Sequence, residues 1–507
     1  MQGFVRSSGG KQMETLQAAL DYFFSFKAYV MLPIIIFVIA VLSRMRIGDA
    51  LMASLKLGVG FAGVFIVFDF FVATVGPAVE QIVEFRNLGF PVLDVGWPPL
   101  AAITWASPIA PLTIPMFLIL NVIMLATRTT MTINLDIWNY WHYALVGSLV
   151  LNVTRSLWLG LLATLLIGVY SIKLADWNGI YVAKRAGVKG ISITTVAING
   201  LMPYAAVVDW VFEHIPGLRS ISYNPHAASQ RSVAAGKGKN VEAGFEGGTG
   251  IETEEAVDPE GPRDRLRKLL ELLSEPMIIG AFVGLFLGFL AGYEARELLE
   301  LAVHIAAVMF LLPPCGALIA RGIEPVSFRL KQVITSRFAN RHDLLVGMDA
   351  GPVLQNRSVL VTGLLLMPIS LGLALVLPGN RTLPLGDLPN LINVGAVTVL
   401  VLRNNVFRSV VAGIPIVATY MLIASNLADL YTTMAQNVGF DFQAYEGPIT
   451  AFTDGGNQIR YLVFHIFQGN TVAILSIPAV LALMWFTRRH SMRLAMADAV
   501  QTTYERR

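Results

Sequence analysis

Apolar residues come along this chain in blocks of roughly 17 to 25 nearly uncharged positions, the length that crosses the hydrocarbon core of a bilayer. Eleven such blocks begin near residues 28, 51, 109, 138, 156, 277, 299, 357, 389, 409 and 461, each ended by charge, Pro or Gly. The pattern predicts an all-α polytopic membrane protein of about eleven transmembrane helices. Four further stretches, Val95–Pro108, Ile191–Val211, Leu344–Asn356 and Phe440–Asn457, are too apolar for loops yet mix Gly, Pro and Trp with Thr, Ser, Asn or Asp. They read as re-entrant hairpins. Non-helical backbone survives at membrane depth only where protein buries it or where it lines a watery cavity, so their polar tips are where a solute would be met.

The order of these pieces repeats. From residue 28 it runs span, span, hairpin, three spans, hairpin; from residue 277 it runs the same way but starts from the opposite side, the signature of an inverted-topology repeat. Gly48, Gly58, Ala62 and Gly63 stand opposite Gly292, Ala302, Ala306 and Ala307 at a constant offset, and Asp94-Val95-Gly96 echoes Asp349-Ala350-Gly351. The chain divides accordingly into an N-terminal segment (1–27), a first membrane repeat (28–215), a linker (216–276), a second membrane repeat (277–487) and a tail (488–507). Residues 220–275, rich in Gly, Ser, Glu and Lys, cannot bury a core and read as a flexible cytoplasmic insert.

Composition narrows the function. With 55% hydrophobic and 14% charged residues, against about 25% charged in soluble domains, the 507 residues are not a string of soluble domains. The net charge of +3 forms no continuous basic stripe, which sets nucleic acid aside. The lone Cys315 excludes a disulfide framework, a CxxC pair and a thiolate metal cluster. No A-x-A-like site follows the first apolar block, so the start reads as mature protein. The short basic loops hold Arg44 and Arg46, then Lys173, Lys184, Arg185 and Lys189, then Arg321, Arg329, Lys331, Arg337 and Arg341, then Arg403 and Arg408, and Arg488, Arg489, Arg493, Arg506 and Arg507 follow the last span. All fall on one side when the spans are counted, placing the N-terminus outside and the C-terminus in the cytoplasm. There is no P-loop, GxSxG or HExxH, and the seven histidines are dispersed. Neither cofactor, metal nor catalytic residue is expected, and energy must come from an ion gradient or a partner protein.

Three groups of residues stand out. Gly280, Gly284, Gly288 and Gly292 give one helix a smooth face, suited equally to a seam with a second copy or domain and to tight packing within the chain. The segment Asn134-Leu-Asp-Ile-Trp-Asn-Tyr-Trp-His142 opens a span with an imidazole, an amide and two indoles. Indole faces stack on C–H surfaces while imidazole and amide bond hydroxyls, which suits a polyol or sugar; an interfacial aromatic belt with a structural histidine is the plainer alternative. Asp349 and Asp94 are carboxylates at hairpin bases, each either facing a solute or capping a helix.

Asp94-Val-Gly-Trp-Pro, Ile103-Thr-Trp-Ala-Ser107, the 134–142 segment, Ile215-Pro-Gly217, Pro378-Gly-Asn and Leu383-Pro-Leu-Gly-Asp387 resemble, in order and spacing, the galactitol-type EIIC permease of the phosphoenolpyruvate:sugar phosphotransferase system, of the ascorbate/galactitol superfamily. The resemblance covers nearly all the chain except residues 222–262. It implies V-motif and core (transport) domains, a homodimer in the bacterial cytoplasmic (inner) membrane, and a substrate phosphorylated by a phosphocysteine on EIIB, itself charged through EIIA and HPr. The polar tips depart from the family: Thr194-Thr195-Val196 replaces Pro-His-Gly, Asp349-Ala350 replaces Asp-Pro, and Gln355-Asn356 replaces Gly-His. Taken with the hairpins, the pattern predicts that Thr104, Ser107, Asn139, His142, Thr195, Asn199, Asp349 and Gln355 surround one polyol or sugar. The basic Arg403, Arg408, Arg329 and Arg337 are the expected EIIB docking surface. A transporter of the same fold that works without phosphorylation, with Asp349 or His142 in ion coupling, is the alternative.

Overall fold

The computed structural model describes residues 28–86, 90–134, 136–225, 276–338, 341, 343–354, 356–439 and 447–505. The N-terminal segment 1–27, the insert from 226 to 275 and Gln355 lie outside the described residues. The first half of the chain contains α1 (Ala28–Leu42), α2 (Ile47–Arg86), β1 (Leu93–Asp94), α3 (Trp97–Trp105), α4 (Ile109–Ala126), β2 (Thr132–Ile133), α5 (Trp141–Thr154), α6 (Leu157–Tyr181), β3 (Ile191–Ile193), α7 (Val196–Asn199) and α8 (Met202–His214). The second half contains α9 (Pro276–Ala291), α10 (Ala295–Arg337), β4 (Leu345–Met348), α11 (Arg357–Val376), α12 (Asn390–Val394) and α13 (Ala396–Val401). It continues with α14 (Val406–Asn437), β5 (Ile449–Thr450), α15 (Phe452–Gly455), α16 (Gln458–Phe467), α17 (Thr471–Leu475) and α18 (Ile477–Glu505).

Helices α2 and α10 are 40 and 43 residues long, so each reaches about 60 Å, twice the thickness of a bilayer core. The basic stretch beginning at Arg321, which charge would place in a loop between spans, is therefore helical as far as Arg337. Arg, Lys, Glu and Gln end a hydropathy window, but they are good helix formers and do not end a helix. The two long helices touch through small residues. A Cβ on Gly322 would lie 2.6 Å from the Ala53 carbonyl oxygen, and one on Gly60 2.8 Å from the Ile319 nitrogen. The glycine face of α9 is occupied inside the chain: a Cβ on Gly280 would come within 2.7 Å of Ala306 Cα on α10, and Gly284 meets Ala302. Tight intrachain packing accounts for Gly280, Gly284 and Gly288, while Gly292 lies past the helix at φ 76° with open space around it.

Among the described residues six helices are long and apolar enough to cross a membrane: Ile47–Val75, Ile109–Ala126, Leu157–Ala186, Arg357–Val376, Val406–Asn437 and Thr471–Met496. The apolar blocks near 138 and 389 fold as shorter helices. Arg155, in the left-handed region at φ 56°, separates α5 from α6, and a turn at Gly395 divides α12 from α13.

Three of the four hairpin stretches contain a short strand followed by a helical turn, the first has its strand, β1, just ahead of it, and the strands assemble across the two halves of the chain. First-half β1 pairs in parallel with second-half β5, and Val92 bridges Thr382. Conversely, second-half β4 lies between first-half β2 and β3, again in parallel. The bonding is congruent. Val92 N–H donates to the Arg381 carbonyl (3.0 Å) and Leu93 to Pro448 (2.9 Å), while Leu345 donates to Met131 (2.8 Å) and Val346 to Gly190 (2.9 Å). These pairs satisfy backbone groups that apolar surroundings would otherwise leave without partners.

Candidate functional site

Buried carboxylates and carboxamides fasten the four tips. Asp94, fully buried, accepts the backbone N–H groups of Gly96 (3.2 Å), Leu385 (2.8 Å), Asp387 (3.2 Å) and Phe452 (2.8 Å). Asp387 accepts Trp97 N–H at 2.7 Å, the first donor of α3, and the Thr453 hydroxyl at 2.7 Å. On the β4 side, Asp176 of α6 accepts the hydroxyl of Thr130 (2.7 Å), the N–H of Met131 (2.9 Å) and both the N–H and the hydroxyl of Thr132. Asn178 and Asn199 both donate to the Ile193 carbonyl at 2.8 Å. The tips are thus rigid, as a site that must discriminate solutes requires.

Between them lies a small, partly open pocket. Its aromatic wall is Trp97, Trp138 and Trp141; Trp97 and Trp141 lie near-parallel at 18° with centroids 6.5 Å apart, and Trp105 stacks behind Trp138 at 6.4 Å. Its polar lining is Asn139, His142, Thr195 and Asp349 from the expected set, joined by Asn390, Asn393 and Asp454. Thr195 donates its hydroxyl to Asp349 Oδ1 at 2.8 Å, and Asn139 donates to Asp136 Oδ2 at 2.7 Å. The pocket therefore combines flat apolar faces with hydrogen-bond donors and acceptors, and the His142 ring is itself stacked on Trp141 at 3.8 Å, a lining that suits a polyhydroxylated chain or ring.

Residues 22–445 match EIIC-GAT, the PTS system sugar-specific permease component. The chain belongs to the EIIC-GAT family. It is 30% identical over 443 residues to the PTS system galactitol-specific EIIC component of Escherichia coli strain K12, covering 87% of this chain and 89% of that one. It is also 30% identical over 473 residues to a putative permease IIC component of the same strain, covering 93% of this chain and 99% of that one. Membership makes this a multi-pass membrane subunit that works on a sugar together with an EIIB component.

Within this EIIC chain the structure brings together four of the eight residues expected at the site: Asn139, His142, Thr195 and Asp349. Three others are buried away from the cavity. Thr104 donates its hydroxyl to the Leu100 carbonyl of its own helix (2.8 Å), Ser107 pairs with Ser148 (2.7 Å), and Asn199 holds Ser171 and Ile193. Asn390 and Asn393 were missed although a local signal exists. Asp387-Leu-Pro-Asn390-Leu-Ile-Asn393 repeats the spacing of Asp136-Ile-Trp-Asn139-Tyr-Trp-His142. Asp454 and its partner Arg460 were also missed.

The four arginines expected at a docking surface differ in setting. Arg329 is exposed on α10. Arg337 ends that helix. Arg403 pairs with Asp209 and Glu213, each at 3.0 Å, and keeps 44% of its side chain exposed. Arg408 is buried against the same two carboxylates at 3.2 and 2.8 Å, with 4% of its side chain exposed. It ties α14 to α8 and leaves almost no charge at the surface for a partner.

Proposed function

We propose that this EIIC subunit binds a linear polyol, galactitol or a close hexitol relative, in the cavity between the tips. The observation that carries this reading is the pairing of three indoles with Asn139, His142, Asp349, Asn390 and Asn393 around one partly open pocket. The relative in Escherichia coli named for galactitol points to the same substrate class. Asn139, His142, Thr195 and Asp349 are the binding residues, and a substrate hydroxyl is then presented to phospho-EIIB, charged through EIIA and HPr, on the cytoplasmic face of the inner membrane.

Residues 28–215 and 277–487 form an inverted repeat. The reading is supported by the congruent strand bonding of Val92–Leu93 and Leu345–Val346 and by the doubled Asp-x-x-Asn spacing at 136–139 and 387–390. Helices α1, α2, α9 and α10 make a V-motif domain and the remaining helices a core domain. Two chains associate as a homodimer, with each C-terminus in the cytoplasm. Arg329, Arg337 and Arg403 contribute positive charge to the EIIB docking face.

The test is a thermal-shift and calorimetric screen of the purified chain against hexitols, pentitols, ketoses and ascorbate, followed by transport in proteoliposomes with and without phospho-EIIB. Hexitol binding and release of a phosphate ester inside only with phospho-EIIB are expected. Accumulation of unmodified solute against a gradient by the chain alone would overturn the phosphotransferase coupling.

A further inference from the structure

We infer that Arg460 is a positioning residue that holds His142 in the tautomer with its proton on Nε2, so that the imidazole meets the cavity as a neutral hydrogen-bond donor. The inference rests on the reading of that cavity as the substrate site. Arg460 lies on α16, is 1% exposed, and has its five N–H groups matched by five contacts. Nε donates to the His142 carbonyl at 3.1 Å. Nη1 donates to the Asp454 carbonyl at 2.5 Å and to Asp454 Oδ1 at 3.1 Å. Nη2 donates to Asp454 Oδ1 at 3.0 Å and lies 2.6 Å from His142 Nδ1. The guanidinium plane also sits over the Trp141 ring, 5.7 Å from its centroid.

A guanidinium carries only donors and is not deprotonated in proteins. An Nη2 group 2.6 Å from Nδ1 therefore requires a lone pair on that nitrogen. Asp454 Oδ1, 3.2 Å from the same nitrogen, would by itself select the opposite tautomer or the imidazolium. The arginine is closer, and it already occupies that oxygen with two of its own N–H groups; the other oxygen, Oδ2, accepts Asn390 at 3.1 Å. A proton on Nδ1 would be set against an Nη2–H. The charged groups facing the ring are Asp454 from α15, Arg460 from α16 and Asp349 from the segment after β4.

With Nδ1 engaged, Nε2 is left for the cavity that the ring lines. It can donate to a hydroxyl oxygen but cannot take a proton from one. His142 thus orients substrate and is neither the base that activates the sugar hydroxyl nor a proton carrier. Asp349, which lines the same pocket, is the acceptor that complements it.

The test reads the ring directly. In the purified full-length chain carrying ¹⁵N-histidine, the His142 signals are assigned by their loss in His142→Gln. An unprotonated Nδ1, a protonated Nε2 and no titration between about pH 5 and pH 8, where an unconstrained imidazole changes charge, are expected. A protonated Nδ1, or a ring that titrates in that window, overturns the inference whatever the substrate proves to be. Arg460→Gln should release the ring to Asp454 and make it titrate, while Asp454→Asn, which keeps the arginine, should leave the proton on Nε2. An Arg460→Gln ring that still does not titrate also overturns it. If Arg460→Gln does not fold, the wild-type and Asp454→Asn spectra still decide. The substrate reading fails separately, if His142→Gln binds galactitol and every other hexitol as the wild type does while the tautomer is as expected.

Discussion

Asp94 and Asp349 sit in the same tripeptide pattern at two hairpin bases, yet the structure uses them in opposite ways. Asp94 is 0% exposed and accepts four backbone N–H groups drawn from the 94–97, 385–387 and 452–455 segments. Asp349 is half-buried at the cavity and accepts the Thr195 hydroxyl. The strand bonding explains the divergence. Leu93 and Val346 occupy corresponding places in their pairings, so Asp349 lies two residues beyond the position that register matches to Asp94. One carboxylate falls inside the backbone turn and organises it; the other is carried past the turn to the open space. A matching tripeptide therefore does not imply a matching role, because two residues of slip exchange a structural acceptor for a pocket-lining one.

Substitution should separate the pair sharply. Asp94→Ala leaves four buried N–H groups unpaired, at about 1 to 3 kcal/mol each, which exceeds the margin of many proteins. Monodisperse protein should be lost in size-exclusion chromatography; a wild-type elution profile and melting temperature would erase the distinction. Asp349→Asn should instead fold and melt normally but bind the polyol roughly ten- to a hundred-fold more weakly, the equivalent of about 1 to 3 kcal/mol, as read by calorimetry. Unchanged affinity would return Asp349 to a structural role. Thr195→Val removes one hydroxyl bond to Asp349 and should weaken binding only several-fold, about 0.5 to 1.5 kcal/mol. Smallest of all, Thr104→Val and Ser107→Ala should leave affinity within about two-fold, since both hydroxyls bond inside the helical core and the net worth of such bonds lies in stability. A large affinity loss in either would place the cavity elsewhere.

Much of the site was legible one segment at a time. Asn139 and His142 on one helix face, Thr195 in a Thr-Thr tip and Asp349 at a hairpin base were visible as polar groups inside apolar surroundings, and such groups face a cavity or a partner. Thr104, Ser107 and Asn199 carry the same signature but are taken up by neighbouring carbonyls and hydroxyls. Composition does not distinguish a polar group that is satisfied within the protein from one left for a ligand.

By itself the sequence determined the membrane class, the predominance of helix and the family, because hydropathy, helical period and motif spacing are local properties of the chain. It did not determine that α2 and α10 run on through their charged ends, since a bilayer-length window stops at charge and a helix does not. Only the tertiary structure decided which of two like carboxylates ties backbone and which faces the cavity, and that Arg408 is held by Asp209 and Glu213. It alone joined Arg460 to a histidine 318 positions away. Those outcomes depend on which donors and acceptors the folded chain brings within about 3 Å, a distance that packing sets and sequence spacing does not record.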